Sequence, residues 1–89
     1  MDLALIKAKI LFKLARHRNW GGSHTAFDNL KKGFRPKDHE FVAEAAEELI
    51  KENLIFRKPT GYGLHVSLNQ QQAKEIKERI SKLLGVKID

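Results

Sequence analysis

Chemistry needs particular side chains at particular spacings, and few such sets occur here. Four histidines, His17, His24, His39 and His65, are the natural metal-ligand candidates. No two of them have the spacing of a ligand motif, and there is no cysteine to complete a zinc set. No metal site and no cofactor are expected. Gly21-Gly22-Ser23-His24 places a hydroxyl beside an imidazole, but without a Gly-x-Ser-x-Gly turn or an acid partner. An enzyme is not expected. Gly61-Tyr62-Gly63 is too short for a dinucleotide fingerprint and lies between strand-like runs instead of ahead of a helix. It reads as a flexible hairpin tip, with Tyr62 either packed on the hairpin base or touching a nucleic-acid backbone. Trp20, beside Arg16, His17 and Arg18, has two uses: stacking on a base, or closing one end of the core at a helix-to-turn boundary. The second fits its position better.

What remains is charge. The 89 residues carry 17 Lys+Arg against 11 Asp+Glu, a formal +6, with a pI near 9.8. A positive balance points to a polyanionic partner only where it is clustered. Here it is divided. Between Pro36 and Asn53 stand two basic and six acidic side chains, a local charge of −4, which leaves +10 elsewhere. Lys7, Lys9, Lys13, Arg16, Arg18, Lys31, Lys32, Arg35 and Lys37 precede or open that acidic stretch, and Arg57 and Lys58 follow it.

The elements that must position these groups are legible as periodicities. Residues 3–16 lack Pro and Gly, and Leu3, Ile6, Ile10 and Leu14 form a helical stripe that Ala4, Ala8, Leu11 and Ala15 widen. Lys7 stands among the apolar residues. The arc exceeds what one side of a small core needs, so this helix is either covered on several sides or offers Leu5 and Phe12 to a homodimer. A short helix is expected over 26–32, opened by Thr25 as N-cap with Asp28 three residues on and ended by Gly33. Pro36 suits the first turn of a helix over 36–52, with Asp38 and Glu40 at its positive end and Phe41, Val42, Ala45, Leu49 and Ile50 inside. Asn53 is a left-handed cap. A hairpin follows over 54–68, with Pro59–Gly63 as its tip. Asn69 caps a last helix over 70–84, with Glu75–Arg79 and Glu78–Lys82 as outer i,i+4 pairs and Gly85 as the stop. Its stripe, Ile76, Ile80, Leu83 and Leu84, either packs on the first helix or meets its twin in a dimer.

One domain is all this length allows, of mixed class, mainly α with a small β-hairpin (α+β). No apolar run approaches the roughly 18 residues of a membrane span. Asp2 before the first apolar stretch and Lys7 within it do not suit a signal peptide. Together with the missing cysteines this predicts a cytoplasmic protein without a membrane partner.

The order helix-helix-helix-strand-strand-helix, and the junction Leu49-Ile50-Lys51-Glu52-Asn53-Leu54-Ile55 running into Phe56-Arg57-Lys58, resemble a winged helix-turn-helix domain. His24-Thr25, Lys32-Gly33-Phe34 and Lys58-Pro59-Thr60-Gly61-Tyr62-Gly63-Leu64-His65-Val66-Ser67-Leu68-Asn69 look more narrowly like small stand-alone winged-helix proteins of archaea. The resemblance covers nearly the whole chain and implies a DNA-binding protein of transcription-regulator type. Its third helix would enter the major groove, with the hairpin tip on the neighbouring backbone or minor groove. This chain departs from that pattern, because Glu40, Glu44, Glu47 and Glu48 line the exposed face of the third helix, where carboxylates would oppose phosphates.

The expected phosphate grip therefore lies in the turn before that helix and in the hairpin: Arg18, Lys31, Lys32, Arg35, Lys37, His39, Arg57, Lys58, Thr60 and Tyr62. The same acids supply a rival reading, a docking face for a basic protein, and an RNA-binding module is a further alternative. No separate ligand-binding domain fits in 89 residues.

Overall fold

Asp2 begins the first helix by capping it: its carboxylate accepts from the Ala4 backbone N–H at 2.9 Å. Helix α1 then runs Leu3–Arg16, and Ile6, Ala8, Ile10, Leu11 and Leu14 along it are fully buried. The wide apolar arc is satisfied within the chain, since α1 packs against helices on two sides and against the sheet. Phe12 is half-buried against the core, with the Arg16 guanidinium 5.7 Å from its ring centre. Leu5 is half-buried as well. The computed structural model describes residues 2–88.

The chain leaves α1 through Arg18, in a left-handed conformation (φ 56°), and the Asn19 N–H closes on the Leu14 carbonyl at 2.9 Å. Trp20 packs against the core end, as its position suggested. The expected helix over 26–32 does not form. Thr25–Ala26 is a two-residue strand, β1, and Phe27–Lys31 is a single 3₁₀ turn. Thr25 is no N-cap. It pairs with Val66 in the sheet, and its hydroxyl accepts from the Asn29 side-chain amide at 2.9 Å. A β-branched residue beside a strand with open edge groups gains more from the ladder than from capping a five-residue turn.

Pro36–Asp38 is a second 3₁₀ turn, with Pro36 at its first position, and α2 follows over His39–Lys51. Val42, Ala45, Ala46 and Leu49 face the core. Phe41, expected inside, is 42% exposed, because that stripe is centred about a quarter-turn away from it. Asn53 takes the left-handed conformation (φ 62°) and turns the chain into β2, Ile55–Thr60. Gly61 and Tyr62 alone link β2 to β3, Gly63–Leu68, so the tip is shorter than the five residues expected. The three strands form an antiparallel sheet in the order β1-β3-β2. Pro59 is tolerated because β2 is an edge.

Buried Asn69 ties the end of β3 to both neighbours. Its amide donates to the Asn53 carbonyl at 2.7 Å and its oxygen accepts from the Gln71 N–H at 3.1 Å. A 3₁₀ turn over Gln70–Gln72 leads into α3, Ala73–Leu84, which ends at left-handed Gly85. Glu75 and Arg79 form their pair, whereas Glu78 and Lys82 form none among the described residues. Ile76 and Ile80, offered above to a dimer, are instead wholly buried within the chain. Only Leu83, 41% exposed, and half-buried Leu84 remain on the outer part of that stripe.

Ile80→Ala should lower the unfolding free energy by about 2–4 kcal/mol in urea titration, equally at low and high protein concentration. A stability cost that disappears on dilution would return Ile80 to an intermolecular contact.

Candidate nucleic-acid interface

The turn before α2 is fixed from below by a lysine of α1. Lys13 Nζ donates to the carbonyls of Asn29 and, at 2.9 Å, Lys32, so one ammonium holds both ends of this bend. Gly33 continues it with a φ of 91°, a conformation that excludes most side chains. His39 Nε2 lies 3.1 Å from the Phe34 carbonyl and locks the far side. His39 is thus engaged in positioning the turn. Arg35 Nε lies 3.3 Å from the carboxylate of buried Asp38, and Lys31 sits 4.0 Å from Asp28. Lys32 and Lys37 are exposed and have no carboxylate partner among the described residues. Arg18 is exposed beyond the end of α1.

On the hairpin, Arg57 is not free. Its guanidinium holds both oxygens of Glu47, at 2.6 and 2.5 Å. Lys58 has no such partner among the described residues and lies opposite His65 in the β2–β3 ladder. His65 Nδ1 in turn meets His24 Nδ1 at 2.8 Å, a contact that requires one neutral ring. The Thr60 hydroxyl donates to the Gly63 carbonyl at 2.7 Å and accepts from the Tyr62 N–H at 3.1 Å, so it shapes the tip. Tyr62 does not pack on the hairpin base: it is 97% exposed.

Two of the four α2 acids, and Glu52 just beyond the helix, are paired inside the chain. Lys7 of α1 reaches Glu48 at 2.7 Å and Glu52 at 2.9 Å, and Arg79 of α3 joins Glu52 at 2.6 Å and Glu75 at 3.3 Å. Burial alone would push the Glu52 carboxyl up, but the hydrogen bonds and charges of Arg79 and Lys7 outweigh it and hold the group below its usual range. Lys7, lowered by burial, is carried above its usual value by Glu48 and Glu52. The Glu52 hydrogen bond does the same for Arg79 against its own desolvation. Of the four acids assigned to a protein-docking face, Glu47 and Glu48 are therefore engaged, leaving Glu40 and Glu44 exposed and unpaired among the described residues.

The sequence reading gave Lys13 no role of its own, placing it as one of four cations of the first helix, beside Lys7, Lys9 and Arg16. It also missed the Arg57–Glu47 pair, which joins residues ten apart on different elements. Comparison of the chain with protein-family models, curated proteins and solved structures finds no match.

Because Glu52 has its carboxyl depressed by folding, its contribution is complete above the unfolded value of about 4.5 and is lost as pH falls through the lower folded value. Glu52→Gln should cost about 1 kcal/mol at pH 7, a few degrees of Tm, with the gap to the parent closing below pH 4. A pH-independent gap in thermal melts would contradict this assignment.

Proposed function

We infer that the chain is a winged helix-turn-helix DNA-binding protein of transcription-regulator type. It grips backbone phosphates through the turn ahead of α2 and through the hairpin. The observation that carries this reading is the division of charge: Glu47, Glu48, Glu52 and Asp38 are met by cations of the chain itself, while Lys32, Lys37 and Lys58 are not met by acids among the described residues. The carboxylates that would oppose a duplex are thereby reduced to Glu40 and Glu44. The exposure of Tyr62, at a tip that Thr60 ties, supports a contact with the duplex beyond the helix. The helix dipole at the start of α2 adds partial positive charge near Lys37.

This reading separates gripping from sequence readout. Lysines meet phosphates as point charges and carry no base preference. The exposed part of α2 offers few base-reading groups beside Glu40 and Glu44, so binding is dominated by counter-ion release and is steeply salt-dependent. The same loss of Glu47 and Glu48 to internal pairs weakens the case for α2 as a docking face for a basic protein.

Fluorescence anisotropy with duplex DNA between 50 and 200 mM salt tests the proposal. Lys37→Ala with Lys58→Ala should weaken binding and reduce the slope of log K against log salt by about 2, close to one unit per phosphate contact. Undetectable binding at 50 mM salt, or an unchanged slope in the double variant, would overturn it.

A further inference from the structure

A cleft of about 400 Å³ opens between the C-terminal end of α1 and the bend that Lys13 holds, within the size range of small-ligand sites. Lys13, His17, Asn19, Asn29 and Lys32 line it together with buried Leu30. Two ammoniums, an imidazole and two amides thus surround one concavity, and among the described residues no carboxylate belongs to it. Lys13 engages two of its three N–H donors on the carbonyls of Asn29 and Lys32, which leaves one. Neither Lys13 nor Lys32 lies within 4.0 Å of an acid among the described residues.

Two further observations point to an anion as the group this cleft suits. Burial and the charge of Lys32 both push Lys13 below the usual lysine range, so two cations stand against one another without a counter-charge. Asn19 is only 7% exposed, yet its side-chain amide has no closer partner than the Ser23 hydroxyl at 3.4 Å, the outer limit of a hydrogen bond. An anion in the cleft would offset the repulsion, take the remaining Lys13 donor and satisfy the Asn19 amide. A dianion matches two ammoniums better than a monocarboxylate does.

We propose that this cleft binds the phosphate group of a small phosphorylated ligand, with Lys13 and Lys32 as counter-charges and the Asn19 amide as a further donor. The site lies inside the domain, so ligand sensing needs no second one. It does not depend on the DNA-binding reading, although Lys32 is common to both.

The test is NMR titration of the full 15N-labelled chain with inorganic phosphate, followed at the Asn19 side-chain amide. A saturable shift is expected over a millimolar range. Lys32→Gln keeps the main-chain carbonyl that Lys13 holds, and should weaken binding about tenfold, as for one lost charge-assisted hydrogen bond. Lys82→Gln, on exposed α3 and outside both sites, should leave it unchanged. Duplex DNA added without phosphate should leave the Asn19 amide unmoved. Absence of a saturable shift would overturn the proposal, as would equal weakening by Lys82→Gln, which marks diffuse charge attraction. The same Asn19 shift on adding duplex would assign the cleft to a nucleic-acid backbone instead. The phosphate arm contains no DNA, so it reads out even if the chain binds no duplex.

Discussion

Helix α1 leaves only Ala4 and Arg16 exposed among its fourteen residues, and the rest of the chain is arranged around that fact. A domain this small can bury a helix so thoroughly only by packing nearly everything else against it. α2 and α3 take two sides, and the sheet contributes Val66 and Leu68. The burial also creates an obligation. Lys7 and Lys13 lie within the covered helix, and a desolvated ammonium must find acceptors. Lys7 finds Glu48 and Glu52, which fixes α1 against the C-terminal half of α2, and Arg79 extends the set to α3. Lys13 finds the carbonyls of Asn29 and Lys32, which fixes the bend that leads into α2. Hydrophobic burial sets the helix in the centre, and Lys7 and Lys13 define what may surround it and in which register.

Those lysines also mark the boundary of what the sequence disclosed. Helices with a long apolar period were legible, as were the left-handed cap at Asn53 and the stop at Gly85, because each follows from interactions within a turn or two. The hairpin was legible from alternation in Leu64, Val66 and Leu68. Strand β1 was not. Two residues carry no period, and their state is decided by pairing with Val66 and His65, some forty positions away. The choice between α and 3₁₀ geometry at Phe27–Lys31, Pro36–Asp38 and Gln70–Gln72 was equally closed, since both follow a similar sequence pattern over one turn. At the candidate site, residue types were visible but their engagement was not. His39, Thr60 and Arg57 were read as ligand-facing, and each has a partner inside the chain.

The net charge of +6 takes a different meaning once the pairs are placed. The −4 of the α2 segment is a count of side chains, not a field felt by a partner. Asp38, Glu47, Glu48 and Glu52 each sit beside a cation, so the potential near them decays faster than their number suggests. The unpaired charge is concentrated in lysines. These are flexible point charges suited to following a phosphate backbone and poorly suited to bidentate base recognition.

Arg57 shows how the internal pairs and an external phosphate would compete. It is the one arginine of the hairpin, and its fork geometry makes it the side chain with the strongest intrinsic match to a phosphate. One arm of that fork, Nη2, is already engaged, through two short bonds to Glu47. Both side chains are about half exposed, 50% and 44%, so water screens the pair, and it is worth on the order of 0.5 kcal/mol. Exchanging Glu47 for a phosphate would leave that carboxylate unpaired on the approaching face, where it repels the same phosphates. On the proposed DNA-binding reading the gain from Arg57 would be offset by a cost on α2, whereas Lys58, with no carboxylate partner among the described residues, would give its whole interaction to the duplex. On that reading the weaker phosphate ligand would be the more effective one, because of what each residue would have to give up to bind.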